Sequence, residues 1–350
     1  MLHLLKTYTT ESVTSGHPDK VCDQISDAIL DACLEQDPKS RVAVETFGSH
    51  GTLMIGGEVT TNAKVDMKKI AADVYKSIGY TEKLKILNTV SKQSQNIAQG
   101  VDTGGAGDQG IMYGYATSET EEMLPLGCVL ANKLARRLEK LRREKTLAWI
   151  KPDGKTQVTI KDGKGVTALC STQHAKNVSQ EQIRKDLIKH LFTPVLGNLK
   201  GIEILVNPTG KFEVGGFAAD AGLTGRKIMV DTYGGLMPHG GGAFSGKDST
   251  KVDRSAAYMC RFVAKNLVAN GYGKKVLVSV AYAIGRVEPV MVEAFNEKGK
   301  DLSKIVAKHF DFKPRSIIER LELRKPVFRE TAAYGHFGVE GRSWEKIVKI

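Results

Sequence analysis

Residues 41–60 read Arg-Val-Ala-Val-Glu-Thr-Phe-Gly-Ser-His-Gly-Thr-Leu-Met-Ile-Gly-Gly-Glu-Val-Thr. Alternation and β-branched residues on both sides of His50-Gly51 predict a hairpin with strands over 41–48 and 52–60. A helix over 19–35 precedes it, with Val21, Ile25, Ala28, Ile29 and Ala32 on one face. A second helix over 65–78 follows. The same order recurs twice. The second unit has a helix over 126–143, strands over 157–161 and 166–171 across Asp162-Gly163, and a helix over 179–191. The third has a helix over 252–270, strands over 275–284 and 289–295, and a helix over 302–310; Val276, Val278 and Val280 alternate in its first strand. The units share a pattern and no appreciable identity. They predict an α+β fold of three units, each packing helices on one face of a mainly antiparallel sheet.

The 350 residues, 41% hydrophobic and 26% charged, have an ordinary globular composition, enough for two or three domains. No apolar run approaches the ~20 residues of a membrane helix, and the stretch Met1 to Lys6 is too short for a signal peptide. Cys22, Cys33, Cys128, Cys170 and Cys260 form no C-x-x-C pair, which predicts buried thiols in a reducing cytoplasm. Lys and Arg number 51 against 39 Asp and Glu, a net +12. The basic run Lys133, Arg136, Arg137, Lys140, Arg142, Arg143 and Lys145 lies on one helix and reads as a solvated face. No RRM, zinc-finger or KH signature accompanies it, so nucleic acid is an unlikely partner.

Residues 240–248, Gly-Gly-Gly-Ala-Phe-Ser-Gly-Lys-Asp, bring the chemistry forward. Glycines let a ligand approach the backbone, and their N–H groups can converge on an anion. Lys247 and Lys251, with Arg226, Lys227 and His239 upstream, suit a polyphosphate. The run satisfies G-x-x-x-x-G-K, but Asp248 stands where a P-loop needs the magnesium-binding hydroxyl. Residues 91–110 are long, polar and Gly-hinged, which predicts a lid or an inter-unit linker. Gly105-Ala106-Gly107-Asp108-Gln109-Gly110 matches G-x-G-x-x-G without a βαβ context, so it is no Rossmann fingerprint. In Ser15-Gly16-His17-Pro18-Asp19-Lys20, Pro18 starts the first helix and Asp19 complements its dipole. His17 is left as a candidate hydrogen-bond donor to a leaving phosphate. The loop and strand carboxylates Asp19, Glu45, Glu58, Asp108, Asp220, Asp231, Asp248 and Asp253 suit Mg²⁺, and no His/Cys spacing suggests zinc. On these features alone, a nucleotide or polyphosphate hydrolase and a basic binding module compete with a transferase.

Together the glycine run 105–110 with Gly114-Tyr115, the run 240–248, residues 16–20, 56–61 and 222–227, and the stretch 331–338 resemble the S-adenosylmethionine synthetase family. The likeness runs in order from about Thr10 to Lys346. It implies three domains related by a pseudo-threefold axis: an N-terminal one over 1–100, a central one over 101–213 and a C-terminal one over 214–350, with the chain termini packing across domains. It implies the reaction ATP, L-methionine and water to S-adenosylmethionine, phosphate and diphosphate. Homodimers with interfacial active sites, often paired into tetramers, and the cofactors Mg²⁺, two per site, and K⁺ are also implied.

The resemblance assigns roles residue by residue. His17 bonds the leaving oxygen, and Lys155, Arg226, Lys247 and Lys251 surround the phosphates or the methionine carboxylate. Asp153, Gly154, Lys211, Phe212, Asp220, Lys227 and Ala243 match nucleotide contacts. Glu58, Gln93, Asp220 and Lys251 match methionine contacts. Asp19 and Asp253 correspond to Mg²⁺ carboxylates, Glu45 to the K⁺ ligand, and Asp108 to a further acidic site position. The sequence departs from the family in three respects: Lys211 replaces a common Arg, exchanging a fork of donors for a point charge; the stretch between Gly100 and Gly107 is short; and the net charge is unusually basic.

Overall fold

A computed structural model describes residues 6–92 and 104–350. Gln93 and most of the expected lid fall outside the described residues.

The first unit contains β1 (Thr7–Val13), α1 (Pro18–Gln36), β2 (Arg41–Ser49), β3 (Thr52–Thr60), α2 (Met67–Ile78) and β4 (Lys85–Asn88). The second contains β5 (Gly110–Thr117), α3 (Leu126–Arg143), β6 (Ile150–Lys161), β7 (Lys164–His174), α4 (Gln180–Leu187) and β8 (Glu203–Val206). The third contains β9 (Gly222–Leu223), α5 (Val252–Ala269), β10 (Lys275–Tyr282), β11 (Met291–Asn296) and α6 (Ser303–His309). All three expected hairpins are present, each preceded by its long helix.

The sheets are built by exchange between units. Each unit begins with a strand that leaves it. β1 pairs antiparallel with β6 of the second unit, from Thr7↔Lys161 to Val13↔Lys155. β5 pairs antiparallel with β10 of the third, from Gly110↔Tyr282 to Thr117↔Lys275. β9 pairs antiparallel with β2 of the first, at Phe47↔Leu223 and Gly48↔Gly222. The exchange is cyclic, one to two to three to one, which is the signature of a pseudo-threefold arrangement. It also covers the hairpin strand that would otherwise be an open edge. In the first two sheets the other flank is a short parallel strand, β4 beside β3 and β8 beside β7.

These leading strands were not legible in the sequence. β6 also starts at Ile150 instead of 157, because β1 lies along it and a register shift between Ile150 and Gly154 carries Asp153-Gly154-Lys155 into the strand. The expected helix over 179–191 ends at Leu187 and passes into a π-turn at Ile188–Phe192. There the His190 carbonyl accepts from Arg137 Nε at 2.5 Å.

One apolar core joins the first and third units, with α1 and α5 at its centre; a second lies beneath the β6–β7 hairpin against α3 and α4. The five cysteines are all free and buried, as expected. The basic run of α3 is largely answered within the chain: Glu139 takes Arg142 and Arg143, Glu122 takes Lys133 and Glu144 takes Lys140. Among the described residues, no helix is long and apolar enough to cross a membrane.

Candidate active site

His17 is the N-cap of α1 and is buried, 3% exposed. Its turn is held from several directions. Tyr80 OH donates to the Gly16 carbonyl at 2.5 Å, and Gln24 Nε2 donates to the Ser15 carbonyl at 2.7 Å. Ser15 Oγ donates to buried Glu139 at 2.7 Å. Gly16 must be glycine, since a Cβ there would lie 2.3 Å from the Pro152 carbonyl oxygen. The backbone N–H of Asp19 donates to His17 Nδ1 at 3.2 Å. That bond makes Nδ1 the acceptor and leaves the proton of the neutral ring on Nε2. Burial, with the charges of Lys227 and Lys155, holds the imidazole pKa down to about 3, although the Asp19 carboxylate lies 3.9 Å away and pulls the other way. His17 is therefore a neutral donor.

Around it stand the cations. Lys227 Nζ donates to Asp19 Oδ2 at 2.5 Å, Arg226 Nε lies 3.7 Å from Oδ1, and the Leu223 N–H reaches Oδ1 at 3.0 Å. Burial acts to raise the Asp19 carboxyl, but the bonds from Lys227 and Leu223 outweigh it and its pKa falls below the usual value. Lys155 projects from β6 into solvent. Next to it, Asp153 is buried; burial pushes its pKa up to about 6, against the pull of the Gly216 N–H at 2.8 Å and of Lys155. Its Oδ1 has no hydrogen-bond partner among the described residues. Exposed Asp220 adds a repulsive charge. Phe212 is half-buried, its N–H bonded to His174 Nε2 at 3.0 Å, while Lys211 is exposed beside Glu213 at 3.8 Å.

The glycine run abuts this cluster. A Cβ on Gly225 would lie 2.4 Å from the Ala243 Cβ, so the turn bearing Arg226 and Lys227 touches the loop bearing Lys247. The consecutive glycines are needed for separate reasons. A Cβ on Gly240 would meet the Ile111 carbonyl oxygen at 1.5 Å, and one on Gly242 would meet Asp253 Oδ1 at 2.2 Å; Gly241 alone has positive φ, 91°. The expected open nest is partly filled, because the Gly241 N–H donates to His239 Nδ1 at 2.9 Å. Lys247 Nζ donates to Asp253 Oδ2 at 2.7 Å. Asp248 is turned away: its Oδ2 accepts from Lys251 Nζ at 2.5 Å and from the Val42 N–H at 2.7 Å. This disposes of the charge that a carboxylate after the P-loop-like lysine would have brought to the phosphates. No helix starts at Asp248; α5 begins four residues later.

Glu45 and Glu58 flank Ala43, which pairs with Glu58 on one side and bridges Lys247 on the other. Both lie on the outer face of the β2–β3 hairpin, diagonal to each other across Ala43↔Glu58 and Glu45↔Gly56. They line an open groove with Phe47, Met54 and Leu223. Asp108 is exposed, its Oδ1 held by the Gln109 N–H.

Asp231, one of the carboxylates read as suited to Mg²⁺, instead forms a buried pair with Lys20 beneath the site, Lys20 also reaching Asp23 at 2.9 Å; the sequence reading missed this pairing. The available signal was a lysine in the first turn of α1 beside Val21 and Cys22, which cannot be buried without carboxylate partners.

Comparison with known proteins decides the lineage. The profile for the N-terminal domain of S-adenosylmethionine synthetase matches residues 6–100, that for the central domain 103–212 and that for the C-terminal domain 214–346. The chain belongs to the S-adenosylmethionine synthetase family. The S-adenosylmethionine synthase of Clostridium tetani is 50% identical over 99% of this chain and 98% of its own length. Those of Pseudothermotoga lettingae and Brachyspira hyodysenteriae are 50% and 49% identical, over 95% and 97% of this chain and 94% and 95% of their own. Within this family's fold, the chain gathers His17, Asp19, Arg226, Lys227, Lys247 and Asp253 on adjoining segments of the first and third units.

Proposed function

We propose that the His17–Lys227–Lys247 cluster receives the triphosphate of ATP while methionine attacks the ribose. As a synthetase of this family the enzyme is a methionine adenosyltransferase that joins ATP and L-methionine into S-adenosylmethionine. A thioether sulfur is a neutral nucleophile and needs no general base. The barrier lies in aligning sulfur, C5′ and leaving oxygen, and in stabilising the charge that departs. The observation that carries this reading is the tautomer of His17: a buried neutral imidazole, Nδ1 occupied, offers an Nε2–H to the leaving oxygen. Arg226, Lys227, Lys247 and Lys155 then neutralise the tripolyphosphate, Arg226 able to grip two oxygens and each Lys acting as a point charge. The same cations serve its hydrolysis to phosphate and diphosphate. Lys251, held by Asp248, takes methionine or the phosphate end. The free Oδ1 of Asp153 suits an adenine amino group, with Gly154, Lys211, Phe212 and Ala243 completing the nucleotide contacts. Glu58, Asp220 and Gln93 take the methionine ammonium side.

The family is metal-dependent, and the donors fit Mg²⁺. Asp19 and Asp253 are hard oxygen ligands on opposite segments. Among the described residues no group of three or more His, Cys, Asp or Glu side chains gathers as a metal site. Mg²⁺ commonly binds one or two carboxylates, water and substrate phosphates, so two such sites completed by ATP match this set. Bound there, the ion would neutralise phosphate charge. Glu45, on the outer face, is assigned to K⁺, and Asp108 to a further acidic position.

The groove bearing Glu45 and Glu58 also exposes Phe47 (46%) and Met54 (41%). Apolar side chains interleaved with substrate-type carboxylates support a homodimer whose second copy covers this face, with pairing to a tetramer open to the same apolar patches. Five buried thiols support a cytoplasmic location. The test is an initial-rate assay in which ATP, L-methionine, Mg²⁺ and K⁺ are omitted one at a time. The reading predicts loss of product with each omission; methionine-independent phosphate release at the full rate would contradict it.

A further inference from the structure

Four aspartates stand on α1 at intervals of four residues: Asp19, Asp23, Asp27 and Asp31. Such spacing makes one slowly turning stripe along a helix. Each accepts backbone N–H groups from beyond the helix: Asp19 and Asp23 from one turn, Asp27 from a second loop and Asp31 from a third segment. Leu223 donates to Asp19 at 3.0 Å, Gly225 to Asp23 at 2.8 Å and Gly246 to Asp27 at 2.8 Å; Phe328 and Arg329 donate to Asp31 at 3.0 and 2.8 Å. Three consecutive rungs thus hold the two loops that carry Arg226, Lys227 and Lys247.

The middle rungs are fully buried, Asp23 and Asp27 at 0% exposure. Lys20 balances Asp23 at 2.9 Å, and Arg254 grips Asp27 through both oxygens at 2.6 and 2.9 Å. Arg254 NH1 also donates to the Lys247 carbonyl at 3.2 Å, and its guanidinium lies over the Phe328 ring at 4.1 Å. Lys247 is therefore held on both sides, through the Gly246 N–H and through its own C=O. Gly246 sits at φ 80°, where a Cβ would lie 1.9 Å from the Val44 carbonyl oxygen, so the loop has little freedom to relax another way. Buried ion pairs contribute little net stability compared with apolar packing. What these pairs supply is geometry.

We propose that Asp23 and Asp27 are positioning residues for the transferase reaction. They hold Arg226, Lys227 and Lys247, which come from two distant loops, at a fixed spacing along one helix. The inference rests on the reading of those three cations as the triphosphate site.

The test compares Asp23→Asn and Asp27→Asn with Asp31→Asn, which removes the same kind of carboxylate from the same helix but releases only residues 328–329. For Asp23→Asn and Asp27→Asn, kcat for S-adenosylmethionine should fall on the order of 10- to 100-fold, with KM for methionine changed less than about twofold. Asp31→Asn should keep kcat within about twofold at a similar shift in melting temperature. In a Lys247→Met background Asp27→Asn should have little further effect, since it acts through that lysine. If Asp27→Asn does not fold, Asp27→Glu keeps the Arg254 pair while lengthening the arm, and should show the same kcat loss. Equal kcat losses in all three aspartate variants, or a full Asp27 effect in the Lys247→Met background, would overturn the inference. If Lys247→Met itself leaves adenosylation and tripolyphosphate hydrolysis unchanged, the site reading fails instead.

Discussion

The Asp19 backbone N–H and the His17 ring are joined at 3.2 Å, and this one bond fixes which nitrogen of the histidine faces the substrate. His17→Ala should therefore slow adenosylation on the order of 100-fold or more, the usual scale for losing a donor to a developing oxyanion. ATP binding, measured by calorimetry, should weaken only a few-fold. Equal losses in both would remove His17 from the leaving-group role.

The same histidine imposes a pH dependence on stability. Its pKa in the fold, about 3, lies below the ordinary value of 6.5. Protons therefore bind the unfolded chain first, and stability present above pH 6.5 is lost as pH falls toward 3. The slope approaches about 1.4 kcal/mol per pH unit below pH 6. His17→Gln should lose visibly less stability than the parent between pH 7 and 4 in denaturant melts. Parallel curves would mean that His17 protonates in the fold.

Lys251 and Asp248 form a pair in which the carboxylate is buried and the ammonium is 20% exposed. Lys251→Ala should destabilise by roughly 1–3 kcal/mol, because it strands a buried charge, and should also impair methionine use or tripolyphosphate hydrolysis. Thermal melts and separate assays of the two steps read these effects. Unchanged kinetics at both steps would place Lys251 outside the site.

Gly242 and Gly241 make a matched pair. Gly242→Ala puts a methyl group against Asp253 Oδ1 and should cut activity at least about tenfold, with little change in melting temperature. Gly241→Ala meets nothing within 4 Å but must hold φ 91°, and should cost about 1 kcal/mol of stability with a smaller effect on rate. The reverse pattern would show that the loop does not set Asp253.

Phe47→Glu places a charge among Phe47, Met54 and Leu223 on the outer face of the first hairpin. Analytical ultracentrifugation should show the parent as a dimer or larger and the variant shifted toward monomer, with activity lost in parallel. A monomeric, fully active parent would leave the face without a partner.

The hairpins and long helices were legible because alternation and helical spacing are local signals. The pattern at 41–60 and the apolar face of 19–35 report the backbone's own environment. The exchanged strands β1, β5 and β9 were not legible. Gly222-Leu223 is too short to show a period, and Thr7–Val13 is polar on its outer face; both become strands only because a distant hairpin edge receives them. Most candidate site residues came from the family resemblance. Physical reasoning alone found the glycine run, its cations and His17, but it did not anticipate that Asp248 is tied to Val42 and Lys251 instead of facing phosphate. The pairing of Asp231 with Lys20 was not legible, because the partner lies 211 residues away in sequence; the Asp23 and Asp27 rungs were invisible because an aspartate on a helix reads as solvated until the opposing loop is in place.

The most direct measurement is a single-turnover quench with excess enzyme over ATP, resolving S-adenosylmethionine, tripolyphosphate and phosphate in time. The account predicts that the sulfonium product forms first and only with methionine present, that phosphate follows it, and that tripolyphosphate accumulates between them when Lys247→Met slows the second step. Phosphate appearing before S-adenosylmethionine, or without methionine, would contradict it.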